Sequence, residues 1–163
     1  MVIKTILAAG IVAASAALLP GNAAAGSASA QEINAQRCTE FFDVVVNRGD
    51  IGAADKFFQS SLIDHAPWPG QTADVAGFKA GLAEMRKSFP DLRVTVERTV
   101  AQGDLLVAHL KMSGSQLGKF MGAPASGKTF SIEAIDIVRM TDGRIAEHWG
   151  LMDAAAMAGQ LGM

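Results

Sequence analysis

A single cysteine, Cys38, excludes an intramolecular disulfide from this 163-residue chain. An excess of positive charge is also missing. Lysine and arginine number 14 against 16 aspartates and glutamates, with no basic cluster, which argues against a nucleic-acid partner. The three histidines, His65, His109 and His148, are dispersed and lack ligand spacing such as H-x-x-x-H, so no metal site is expected. There is no G-x-S-x-G nucleophile elbow, no internal repeat, and no apolar run long enough to span a bilayer.

The longest apolar run, Ile6 to Leu19, follows a short positive start at Lys4 and ends at Pro20-Gly21. Ala28-Ser29-Ala30 fits small-x-small cleavage before Gln31, and Ala23-Ala24-Ala25 offers a second site. Residues 1–30 therefore read as a secretory signal peptide, with secreted or periplasmic destination and no membrane partner once it is cleaved. Residues 31–163 remain as one domain, with 13 basic and 16 acidic side chains and a net charge of −3. A domain of this size buries roughly two-thirds of its unfolded surface.

Within that domain, residues 32–48 predict a helix with Cys38, Phe41, Phe42 and Val45 on its buried face. Cys38 reads as a small core residue, because no neighbour in sequence would lower its pKa. A short helical piece is expected at 52–59. Residues 61–70, with Pro67, Pro69 and Gly70, read as a loop. A third helix is expected at 73–88, ended by Pro90. After Pro90 the period changes from helical to alternating. Strands are expected from Leu92, over 105–115, 129–140 and 144–150, then a short helix capped by Asp153. Helices first and hairpin-connected strands after predict an α+β fold with a mostly antiparallel sheet.

Gly122 to Thr129 matches the phosphate-loop pattern G-x-x-x-x-G-K-[ST], but the alternating run Thr129-Phe130-Ser131-Ile132 follows it. A phosphate loop needs a helix there, so the segment reads as a connection between strands. His109, mid-strand and without a visible partner, reads as structural. His65 lies in a loop beside Asp64 and Trp68, where functional residues concentrate.

The strongest local signal is the hairpin from Ile135 to Trp149 around Asp142-Gly143. Asp136 and His148 interrupt its apolar positions. A two-residue turn would put Asp136 opposite Trp149, with His148 on the other face. A three-residue turn, Thr141-Asp142-Gly143, would put Asp136 opposite His148 with Cβ atoms roughly 5 Å apart. It would also make Arg139 and Glu147 diagonal neighbours on the opposite face, placed for an ion pair. The three-residue turn is the favoured reading.

The segments Gly118-Lys119-Phe120-Met121-Gly122-Ala123-Pro124, Ile135-Asp136-Ile137-Val138-Arg139 and Asp142 to Trp149 resemble the SnoaL-like polyketide cyclase (ester cyclase) family. That family belongs to the nuclear-transport-factor-2-like superfamily. The likeness runs over about 33–155, and His65-Ala66-Pro67 falls where the family often has a histidine. It implies a cone of three N-terminal helices on a strongly curved sheet around an apolar cavity. It also implies a homodimer and ring closure by aldol chemistry without cofactor or metal. Two positions depart from the family pattern. The acid/base aspartate that follows the tryptophan is Gly150 here, and Gly-x-His before the glycine loop is Gly114-Ser115-Gln116.

These readings lead to a secreted pocket protein that handles a small apolar carbonyl compound or ester. Asp136 is expected as general base, with His148 and His65 polarising or shuttling protons. Gln116 is expected as oxyanion donor, and Trp68, Phe120 and Met121 as substrate-binding residues. The rival readings are a non-catalytic binder of the same fold, and a ketosteroid-isomerase-like or epoxide-hydrolase-like enzyme.

Overall fold

The computed structural model describes residues 29–163; the expected signal peptide lies, but for its last two residues, outside the described residues. Ser29 caps helix α1 (Ala30–Phe41) with a capping box: its hydroxyl accepts from the Glu32 amide, and Glu32 accepts from the Ser29 amide. The helix continues as π-type turns over Phe42–Asn47, and a 3₁₀ helix follows at Ile51–Lys56. Asp74 caps α2 (Val75–Ser88) through the Gly77 amide at 2.9 Å. Asp153 caps α3 (Ala154–Leu161) through the Ala156 amide at 2.8 Å.

The strands are β1 (Phe58–Asp64), β2 (Arg93–Gln102), β3 (Leu105–Ser115), β4 (Thr129–Thr141) and β5 (Arg144–Met152). They form one sheet in the order β1-β5-β4-β3-β2. Every pairing is antiparallel except β1 with β5. The expected α+β fold with a mostly antiparallel sheet is the fold observed. β1 corrects the sequence reading, which assigned 52–59 to a helix and 61–70 to a loop. Its inward positions are Phe58, Leu62 and Asp64, and a register irregularity between Phe58 and Ile63 breaks the alternation. Its partner lies more than eighty residues away, so no local hairpin signal announces it.

Alternation decides what faces the helices. Leu106, Ala108, Leu110 and Met112 of β3 are buried, as are Phe130, Ile132, Ala134, Val138 and Met140 of β4. They pack against a cluster of aromatic rings in which Phe41 meets Phe42, Phe57 and Phe58 edge to face at 5.3–5.7 Å. Cys38 is buried in this core. Burial, reinforced by the charge of Asp136, pushes its thiol up to about 12, which fits a core role.

Candidate functional site

The β4–β5 hairpin builds the site by a route the sequence did not reveal. Asp142 and Gly143 both adopt positive φ, 51° and 69°, the signature of a type I′ turn. Thr141 therefore faces Arg144 and Met140 faces Ile145, which corrects the favoured three-residue turn. Ala146 then has no partner. This bulge lets Arg139 face Glu147, Val138 face His148 and Asp136 face Gly150. The type I′ turn matches the twist of the strands, and the bulge turns His148 back to the inner face. Asp136 and His148 are thus diagonal neighbours on the inner face, with His148 Nε2 3.5 Å from Asp136 Oδ2.

The other ring nitrogen, Nδ1, lies 2.9 Å from Oδ1 of Asp64, which is 3% exposed. Sequence reasoning placed Asp64 beside a candidate but gave it no role; the signal was its inward position at the end of a strand. Asp64 is held in turn by the Ala66 amide, which donates to Oδ1 at 3.0 Å. The edge of Phe78 closes on the imidazole at 5.7 Å and 88°. Burial works against a charge on His148, but hydrogen bonds and charge from Asp136 and Asp64 outweigh it, and the imidazole is pushed up to about 9. Burial alone would raise Asp64; the bonds from His148 and the Ala66 amide outweigh it and hold this carboxyl below its usual range. The arrangement sets one imidazole ring between two carboxyl groups and favours its protonated form. The Nε2–H to Asp136 contact is longer than a full hydrogen bond, so that proton remains available to a competing acceptor.

A cavity of about 300 Å³ opens on this pair. Phe42, Val46, Phe78, Leu82, Leu110 and Met112 contribute to its apolar wall, and among the described residues Asp136 and His148 are its only titratable side chains. Gly150 also lines it. A Cβ added there would lie 3.1 Å from His148 Cε1 and 3.5 Å from Asp136 Oδ1. The strand position where the resemblance expects a carboxylate therefore abuts the pair. The two carboxylates approach opposite nitrogens of one ring and share no common point. Among the described residues no group of three or more histidine, cysteine or acidic side chains could hold a metal ion.

The remaining candidates are scattered. Trp68 lines the cavity. His65 does not: it stacks on Trp149 at 4.4 Å and 3° on the outer face and meets Glu147 Oε2 at 2.9 Å. Side chains at the end of β1 alternate, so burying Asp64 sends His65 outward. Gln116 is 1% exposed and lines no described cavity. Its amide donates to the Pro124 carbonyl at 3.0 Å and accepts from the Ser126 hydroxyl at 2.7 Å, so it clasps its own loop rather than a substrate. Phe120 and Met121 line a second cavity rather than this one. His109 lies on the outer side, 3.4 Å from Glu133.

Residues 36–161 match the model of the SnoaL-like polyketide cyclase family. The chain belongs to that family. Among curated relatives, it is 37% identical over 60 residues to the aklanonic acid methyl ester cyclase DnrD of Streptomyces peucetius. That alignment covers 37% of this chain and 41% of the relative, so the match spans about two-fifths of the relative's length. Among solved structures, TsrD from Streptomyces laurentii superposes with a TM-score of 0.72 at 32% identity, covering 79% of this chain and 95% of TsrD. IdmH from Streptomyces antibioticus, described as a putative polyketide cyclase, superposes with a TM-score of 0.71 at 27% identity, covering 80% and 99%. This SnoaL-like chain shares their fold over nearly its whole described length.

Proposed function

We propose that this SnoaL-like protein performs cofactor-free acid/base chemistry on an apolar carbonyl or ester compound, of the ring-closing aldol type. The observation that carries the reading is the Asp136–His148–Asp64 array at the wall of an apolar cavity. Asp136 removes a proton from the carbon next to a carbonyl, and the resulting enolate oxygen accepts the Nε2–H of His148. The enolate carbon attacks a second carbonyl of the same molecule, and the new alkoxide takes back the proton that Asp136 holds. Asp64 fixes the ring through Nδ1 and supports its charge. Asp136 stands directly opposite Gly150 in the ladder, so the base sits one strand across from the position where the resemblance expects a carboxylate.

Proton exchange tests this without knowledge of the natural substrate. A neutral cyclic β-keto ester in deuterated buffer should exchange its α-proton faster with the protein, and Asp136→Asn should remove roughly 10²–10⁴-fold of the acceleration. Equal exchange by the variant would remove Asp136 from the mechanism. A protein that binds the ester without accelerating exchange would be the binder that Gly150 favours.

Export and self-association belong to the same proposal. The apolar run from Ile6 to Leu19 supports export. Cleavage before Gln31 would strip the Ser29 cap from α1, whereas cleavage after Ala25 would keep it. N-terminal sequencing of periplasmic protein separates these outcomes. On the outer sheet face, Val100, Val107, Ile137 and Trp149 form one cross-strand row, flanked by exposed Leu151. Such a row supports a homodimer, and light scattering on the purified protein tests it.

A further inference from the structure

Phe120 and Met121 mark a second cavity that the proposed chemistry leaves unused. It lies between α2, the loop after β3 and α3, and its volume is about 560 Å³. We infer that it receives the aliphatic tail of the same molecule whose carbonyl end reaches His148, an inference that rests on the reading above.

Three observations converge. The first is continuity. Trp68, Pro69, Met85 and Met152 line both cavities, so the two adjoin. Trp68 is the largest of the shared side chains. It lies so close to α2 that a Cβ on Gly81 would fall 2.5 Å from its Cδ1, so the glycine sets how far the indole sinks. The second is the wall. Five methionines, Met85, Met121, Met152, Met157 and Met163, line the outer cavity. Their unbranched thioethers repack around irregular apolar chains. The Ser88 hydroxyl is already bonded to the Glu84 and Lys119 carbonyls, and the Glu84 carboxylate is paired with Lys87. Gln71 and Lys119 are the remaining polar side chains of a wall that otherwise offers apolar contact area, which suits a hydrocarbon chain better than a sugar or a peptide. The third is size. The inner cavity is at the small end of ligand pockets, whereas the two together hold an extended molecule. Met121 is 73% exposed at the rim with φ 47°, an apolar side chain held toward solvent by a backbone conformation that non-glycine residues rarely adopt.

The ligand class is therefore a neutral molecule with a carbonyl-bearing head and a long hydrocarbon tail. A series of 2-alkanones from six to fourteen carbons serves as the probe. Binding is read by the fluorescence of Trp68 in a Trp149→Phe background, where it is the single tryptophan. Affinity should rise by about fourfold per added methylene once the chain outgrows the inner cavity. Ala158→Phe should flatten that rise and leave the shortest ketone within about twofold of its original affinity. Ala154→Phe, at an exposed position on the same wall, gives the same answer if Ala158→Phe does not fold. A slope absent from the parent protein, or unchanged by both fillings, overturns the tail site. Proton exchange on the shortest ketone reports separately. Exchange with a flat slope removes only the tail site, and a filling-sensitive slope without exchange upholds the tail site and removes only the catalytic reading.

Discussion

The two faces of the β4–β5 hairpin each carry a histidine beside carboxylates, and they differ in everything that burial controls. On the inner face His148 sits between Asp64 and Asp136, 9% exposed. On the outer face Glu147, one residue earlier, meets His65 and Arg139 at 2.9 and 2.8 Å, and Arg139 also reaches Asp104. The residue types are nearly the same. Inside, the charges have few other partners, so the two carboxyls raise the imidazole and the imidazole helps to hold Asp64 low. Outside, water competes with every pair, and such contacts contribute little. The difference teaches that an acid–imidazole pair becomes a candidate for chemistry through its surroundings rather than its composition.

Breaking the inner array should give the largest effects. Asp136→Asn should cost roughly 10²–10⁴-fold in proton exchange and should lower stability by less than loss of the imidazole does, because Asp64 still pairs with the ring. His148→Leu should abolish exchange and destabilise the fold by about 3–5 kcal/mol, since it leaves Asp64 buried without its partner. Chemical denaturation measures the second effect.

Titration sharpens the comparison. His148 is raised from 6.5 to about 9, so its contribution is fully present below pH 6.5 and lost as pH rises through about 9. That contribution is on the order of 3 kcal/mol. Unfolding free energy should fall across this window in the parent and stay flat in His148→Leu. Asp64 is lowered, so its contribution is present above its usual pKa and lost as pH falls below it. Asp64→Asn should cost about 1–3 kcal/mol and move the alkaline limb of stability to lower pH. The smallest effect belongs to the outer face. Glu147→Gln should change stability by less than about 1 kcal/mol and leave exchange intact. A larger loss of exchange would show that the two faces are coupled through β5.

Much of the fold was legible where the cause was local. Alternation and turn residues marked β3, β4 and β5 closely, and Asp153 capped the last helix as its position implied. β1 was missed because its reason for existing is a parallel partner distant in sequence, and because its inward Asp64 reads as polar. Within the site, Asp136 and His148 stood out as polar interruptions of apolar strands. Asp64 did not, since only the tertiary pairing of β1 with β5 brings it to the ring. His65 and Gln116 were misplaced for the same reason: a loop histidine and a polar residue near a glycine-rich loop show no face until the strand beside them has one.

Ala146 sets the parity of β5. Its single unmatched place makes an even-membered turn behave, for everything beyond it, like an odd one. Substitutions at this residue leave that parity untouched. Deleting it would leave a regular ladder in which Glu147 still faces Arg139 and His148 still faces Val138. A three-residue turn that takes Thr141 into the loop, with Ala146 still unmatched, would instead put His148 opposite Ile137 and carry it out to solvent. Two residues with no chemistry of their own, one in the turn and one in the strand, act together as the reading frame of the site.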